Sequence, residues 1–181
     1  MTPPIQSPTN WLEKARSISV FFLDVDGVLT DGGLYCDHNG ESFKKFNTLD
    51  GHGLKLLTTA QIVPVIITGR DSPALRKRLS ELKIESAFFG VEDKKEVAQA
   101  YLKHHGQTWQ NVAAMGDDWP DLSVLTRAQC SFAPPGAHTE VKKRVDHVCS
   151  AGAGQGAVRE ACDLLLMAKG VYEVALRGAL T

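Results

Sequence analysis

The chain has 181 residues, a length that fits one domain with a core of its own, and its 43% apolar and 23% charged content excludes a disordered chain. Its 20 basic residues face 21 acidic ones, a formal charge of −1, so no positive field exists to hold a polyanion and a dedicated nucleic-acid binder is excluded. Cys36, Cys130, Cys149 and Cys162 are scattered with no Cys-x-x-Cys pair, which reads as idle thiols rather than a zinc site or a disulfide scaffold.

In chain order, Met1-Thr2-Pro3-Pro4 carries no basic run, and the first apolar run, Ile18 to Leu23, is cut short by Asp24. No run approaches the roughly 18 apolar residues of a membrane span. These features predict a cytoplasmic protein with no membrane partner. A helix is expected around Asn10–Arg16, capped by Thr9 or Asn10, and then a strand over Ser19–Leu23. Leu34-Tyr35-Cys36, the turn Asp37-His38-Asn39-Gly40 and Glu41 to Phe46 predict a β-hairpin, a flap over about 33–47. Strands are predicted at Ile62–Ile67, Ser86–Phe89, Val112–Met115, Gln129–Phe132 and His147–Cys149. Helices are predicted at Gly53–Ala60, Pro73–Leu82, Lys94–His105, Asp121–Thr126 and Thr139–Val145. A last helix, Gly156–Ala168, carries Val158, Ala161, Leu165 and Ala168 at helical spacing and stops at Gly170. The tail Val171–Thr181 shows no obvious core partner. This alternation predicts one α/β domain over residues 1–181: a doubly wound, mostly parallel sheet with helices on both faces and a small hairpin flap.

Ligands of such sheets bind outside the carboxyl ends of the strands. Here those ends read Asp24-Val25-Asp26-Gly27, Thr68-Gly69-Arg70 and Gly116-Asp117-Asp118-Trp119-Pro120-Asp121, with Lys94 opening a helix. These types suit a phosphate monoester, whose negative charge repels an anionic nucleophile unless positive charge surrounds the phosphoryl group. A hard cation such as Mg²⁺, held by carboxylates from the first and later strands, supplies that charge. Thr68 and Lys94 can hold phosphoryl oxygens as charge spreads over them. Asp24 can attack in line to give an aspartyl-phosphate, and Asp26 can protonate the leaving oxygen and later accept a proton from water. A lone Asp-x-Asp is more often a polar turn, and Thr68-Gly69 alone is weak. Several such motifs at successive strand ends overturn the bland interpretation.

Asp24-x-Asp26-Gly27-x-x-Thr30, Thr68-Gly69, Lys94 and Gly116-Asp117-Asp118-x-x-Asp121 resemble, in order, the four motifs of the haloacid dehalogenase superfamily. Phe46-Asn47-Thr48-Leu49-Asp50-Gly51-His52-Gly53, Thr68-Gly69-Arg70 and Gly156-Ala157-Val158-Arg159-Glu160 are similar to its capless subgroup of sugar-acid phosphate phosphatases. The resemblance spans about Ile18 to Gly170. It implies Asp24 as nucleophile and Mg²⁺ ligand, Asp26 as acid/base and main-chain metal ligand, and Asp117 as the third ligand, supported by Asp118 and Asp121. It further implies a substrate site lined by Asn47, Thr48, Leu49, Asp50, Gly51, Lys55, Thr68, Gly69, Arg70, Arg78 and Lys94. The partners it implies are a small sugar-acid phosphate and three further copies of the chain, a homotetramer in which hairpins associate and neighbours close the open site. Leu49 departs from the pattern, standing where arginine is expected, which leaves Lys55, Arg70 and Arg78 to meet a substrate carboxylate. Two other readings compete: a phosphatase of another sialic-acid-like sugar phosphate, and a non-catalytic tetramerising partner of a sugar nucleotidyltransferase. The latter has no need of Asp24, Asp26, Lys94 and Asp117, all of which are present. Trp119-Pro120 is expected to pack the motif loop.

Overall fold

Six parallel strands form one sheet in the computed structural model of the chain, which describes residues 13–38 and 40–180. They are β1 (Val20–Leu23), β4 (Val63–Ile67), β5 (Ala87–Phe88), β6 (Val112–Met115), β7 (Cys130–Ala133) and β8 (His147–Val148), in the order β5-β4-β1-β6-β7-β8. β2 (Tyr35–Asp37) and β3 (Gly40–Phe43) form the separate antiparallel hairpin, with Tyr35 opposite Phe43. β1 lies at the centre, with Val20 opposite Val63 on one side and Val112 on the other. Both of its faces are covered, so its four residues are apolar without alternation.

Strand periodicity divides the core in two. Phe21 and Leu23 join Ile66, Ala113, Met115 and Phe132 on one face. That face is covered by α1 (Thr48–Thr59), α2 (Pro73–Leu82) and α6 (Ala157–Ala168), through residues such as Leu57, Leu79 and Leu165. Val20 and Phe22 point the other way, with Val65, Ile67 and Ala114, onto α3 (Lys94–His104), α4 (Leu122–Leu125) and α5 (Thr139–Lys142). No helix among the described residues is long and apolar enough to cross a membrane.

Several boundaries differ from expectation. α1 starts at Thr48, not Gly53, because Asn47 Oδ1 accepts the Leu49 N–H at 2.8 Å and caps it. Gly53 is inside the helix for packing: a Cβ there would lie 3.1 Å from Cys162 Cβ in α6. The expected Asn47–Gly51 loop is therefore a cap and a first helical turn. The hairpin's second strand ends at Phe43 instead of Phe46, and Phe46 turns inward against the core. The tail is not bare: α7 (Tyr172–Gly178) forms, and Val171 and Tyr172 pack on the core, while Val174, Leu176 and Leu180 stay exposed. Residues 13–15 are helical, whereas Thr9, Asn10 and the turn residue Asn39 lie outside the described residues.

α6 starts at Gly156, which brings no capping side chain. Asp50 fills that role from α1: its Oδ1 accepts the Arg159 N–H at 2.8 Å, and it is 1% exposed. Burial raises its carboxyl pKa, while the backbone N–H groups of Arg159, Gly156 and Val158 pull it down. Asp50→Ala is expected to leave a buried donor unpaired and lower stability by about 1–3 kcal/mol, read as a lower urea midpoint, with Asp50→Asn milder. An unchanged midpoint for Asp50→Ala excludes this tie between α1 and α6.

Candidate active site

β1 and β6 are neighbours whose crossovers run to opposite edges of the sheet, so a crevice opens at their carboxyl ends. The Asp24 N–H donates to Met115 O at 3.1 Å, fixing the end of β1 against that of β6. The chain then turns tightly, with the Leu29 and Thr30 N–H groups returning to Val25 O. Gly27 has φ +87°, and a Cβ on it would stand 2.1 Å from Asp117 Oδ2. Only glycine lets the loop after β6 approach this closely.

Asp121 organises that loop. Its Oδ2 accepts the N–H of Asp117 at 3.0 Å and of Asp118 at 3.2 Å, while its Oδ1 accepts Lys94 Nζ at 2.6 Å. Lys94 also donates to Asp24 Oδ1 at 2.7 Å and is 6% exposed. It opens α3, a helix capped by Asp93 Oδ1 on the Glu96 N–H. Donor oxygens of Asp24, Asp117 and Asp121 all lie within 4.8 Å of one another. Burial, then Asp121, push the Asp24 carboxyl up to about 6 against the pull of Lys94. Burial, then Asp121 and Asp24, push Asp117 up to about 7. Burial opposes the Lys94 charge, but Asp121 and Asp24 overcome it and leave its pKa raised. Three carboxylates with one ammonium leave two formal negative charges, and all the donors are oxygen. This set fits a hard divalent cation.

Thr68 ends β4 and is buried; its oxygen Oγ1 accepts the Arg70 N–H at 3.3 Å across Gly69. Asp26 meets one cation from the hairpin and one from the turn after β4: Lys44 Nζ donates to its Oδ1 at 2.5 Å, and Arg70 Nε stands 3.5 Å from Oδ2. Glu41 Oε2 joins the two cations, 3.2 Å from Lys44 and 3.0 Å from Arg70. Lys44 and Glu41 were not singled out from the sequence, where Lys44 is one of many basic residues. No alternation finds them, because Lys44 follows β3 and the hairpin register shifts between Tyr35 and Cys36, which brings Glu41 and Lys44 to the same side.

Asn47, Asp50, Gly51 and Arg78 line one small cavity, and Arg78 Nη2 donates to Asn47 O at 3.4 Å. Leu49, 55% exposed, sits with Thr48 on the first turn of α1, and Lys55 and His52 are exposed further along it. The Asp118 side is exposed too, and Trp119 does not bury itself in the loop as expected. It is 61% exposed, with Nε1 donating to His138 Nδ1 at 3.0 Å. The His138 N–H in turn donates to Asp117 O at 2.8 Å. A second group of possible ligands, His147, Cys149 and Glu160, is taken up by the chain itself: the Glu160 oxygens accept the Ser150 and Ala151 N–H groups and face His147 Nε2.

Residues 90–160 match the sequence profile of haloacid dehalogenase-like hydrolases. The 3-deoxy-D-manno-octulosonate 8-phosphate phosphatase of Haemophilus influenzae is 42% identical over 162 residues, 90% of either chain. A structure of the phosphatase of that name from Moraxella catarrhalis, in complex with magnesium ion, phosphate ion and a KDO molecule, has a TM-score of 0.91 at 32% identity and covers 94% of this chain and 98% of that one. The cobalt-bound form of the Haemophilus influenzae enzyme has a TM-score of 0.88 at 41% identity, with 93% of this chain and 99% of that one covered. With identity of this order sustained over nine-tenths of both chains, the chain belongs to the haloacid dehalogenase-like hydrolases, in the family of the 3-deoxy-D-manno-octulosonate 8-phosphate phosphatases.

Proposed function

We infer that the chain is a Mg²⁺-dependent phosphomonoesterase that hydrolyses 3-deoxy-D-manno-octulosonate 8-phosphate to the free sugar acid and phosphate. One observation carries this reading: Asp24 lies between Lys94, 2.7 Å away, and the Asp117 and Asp121 carboxylates at the mouth of the sheet. The Asp24 and Asp117 carboxylates and the main-chain carbonyl of Asp26 would hold Mg²⁺, which would supply the positive charge that lets a dianion approach a carboxylate. Asp24 attacks phosphorus as the bond to the sugar oxygen breaks, and the proton on the Asp26 carboxyl passes to that oxygen. Asp26, now a carboxylate, takes a proton from the water that attacks phosphorus and frees Asp24. Lys94 and Thr68, with Gly69 in the same turn, meet the phosphoryl oxygens; Asp118 and Asp121 hold the loop of Asp117. Arg70, Arg78, Lys55, Asn47, Thr48 and Leu49 face the sugar, where Leu49 supplies no cation, while the buried Asp50 and Gly51 support that wall from within α1.

The assembly we propose is a cytoplasmic homotetramer joined through hairpins. Leu34 and Phe43 are exposed at 53% and 56%, and Tyr35 stacks on Phe43 with ring centroids 4.6 Å apart. A two-stranded hairpin is marginal alone, and burying it against copies of itself is the simplest remedy.

Asp24→Asn is expected to abolish turnover of the sugar-acid phosphate in a steady-state assay, because an amide does not attack phosphorus. Retention of more than about a tenth of wild-type activity excludes the covalent route. Chelation with EDTA is expected to silence the enzyme and Mg²⁺ to restore it, with Ca²⁺ a poor substitute because it prefers looser, higher coordination. Full activity in chelator removes the metal from the mechanism. Light scattering at micromolar concentration is expected to give the mass of four chains, and a monomer contradicts the hairpin interface.

A further inference from the structure

A lysine buried in the flap stands against the acid/base. Lys44 follows β3, and its side chain is 2% exposed, unusual for an ammonium group. Nζ lies 2.5 Å from Asp26 Oδ1 and 3.2 Å from Glu41 Oε2, so two carboxylates compensate its charge. Thr30 Oγ1 adds a longer contact, 3.5 Å, to the same Oδ1. The two oxygens of Asp26 are thereby made unequal. Oδ1 is filled, whereas Oδ2 is buried with no hydrogen-bond partner among the described residues and has only Arg70 Nε, at 3.5 Å, as a charged neighbour. A general acid must aim one oxygen at the leaving group and keep it free for the proton.

We propose that Lys44 is the positioning residue of Asp26: carried in by the hairpin, it holds Oδ1 so that Oδ2 alone exchanges the proton with the leaving oxygen. Glu41 completes the device by binding Lys44 and Arg70 together, which fixes the flap over the site. The inference rests on the phosphatase reading above. It differs from a purely structural role, because losing the aim of the proton harms only reactions that need a proton on the leaving group. It also differs from a substrate contact, because it does not depend on the sugar.

Three substrates separate these roles through kcat/KM, which covers the steps up to the first phosphoryl transfer. 3-Deoxy-D-manno-octulosonate 8-phosphate and glycerol phosphate both release an alcohol that must be protonated, and p-nitrophenyl phosphate releases a phenolate that leaves without a proton. Lys44→Met is expected to lose about 10²-fold in kcat/KM on both alkyl esters and less than about threefold on the aryl ester, and Lys44→Arg to recover most of the loss. Lys44→Gln, which still donates to Oδ1, replaces Lys44→Met if that variant does not fold and is expected to show the same selective pattern at about tenfold. An equal loss on all three substrates, or a loss on the sugar acid alone, overturns the proposal while leaving the phosphatase reading intact. A wild-type enzyme with Mg²⁺ that cleaves none of the three overturns both.

Discussion

Mutual repulsion of carboxylates is the constraint around which this molecule is arranged. Asp24, Asp117 and Asp121 present oxygens within 4.8 Å of one another. Two unit charges at that separation repel by about 3–4 kcal/mol at the effective dielectric of a protein site. The fold counters this locally. Lys94 binds two of the three carboxylates, and the N–H groups of Asp117 and Asp118 satisfy the other oxygen of Asp121. Asp121 is thus consumed by the scaffold. Asp24 and Asp117 are left with carboxyl pKa values raised by burial and by the charge of Asp121.

Rigidity elsewhere serves the same end. The ends of β1 and β6 are locked by the Asp24–Met115 hydrogen bond, and each of these strands is paired on both sides. Aromatic and branched side chains fill both faces of β1, so Asp24 rises from a strand that is packed on both faces and paired on both sides. The Asp50 carboxylate at the start of α6 ties the far wall, α1, to the same body. Residues drawn from five separate stretches of sequence therefore meet in a crevice with little freedom to relax.

The sheet and its chemistry were legible because both depend on local patterns. Val20-Phe21-Phe22-Leu23 followed by Asp24 announces a buried strand ending in a carboxylate, and the paired Asp117 and Asp118 do the same after Val112-Ala113-Ala114-Met115. What could not be read depends on distant partners. Gly51 looks like a loop residue until α2 is placed against it, and Gly53 looks like a helix start until α6 shows it to be a close-packing position inside α1. Asp50 looks like a substrate residue because its neighbours do, yet its carboxylate is committed to a helix terminus more than a hundred positions away. Trp119 suggested a packed indole, but Asp121 already stabilises the loop through backbone N–H groups, so the ring is left outside against His138.

The hairpin joins these themes. It has two unlike sides: Phe43 looks outward beside Tyr35, while Lys44, just past β3, reaches inward to Asp26. An isolated hairpin of three- and four-residue strands is held weakly by its own backbone bonds. The Lys44–Asp26 and Arg70–Glu41 contacts anchor it on one side, and its apolar outer face, with Leu34 and Phe43, is exposed on the other. In the proposed assembly, covering that face would lower the entropy cost of the charged contacts, so the two would be coupled through the order of a single short element. Association of the outer faces in that assembly would tighten the hold on Asp26, and the charged contacts at Asp26 would present the outer face in a fixed shape for association. On that proposal, the order of one hairpin would supply what a larger enzyme obtains from the closure of a cap domain.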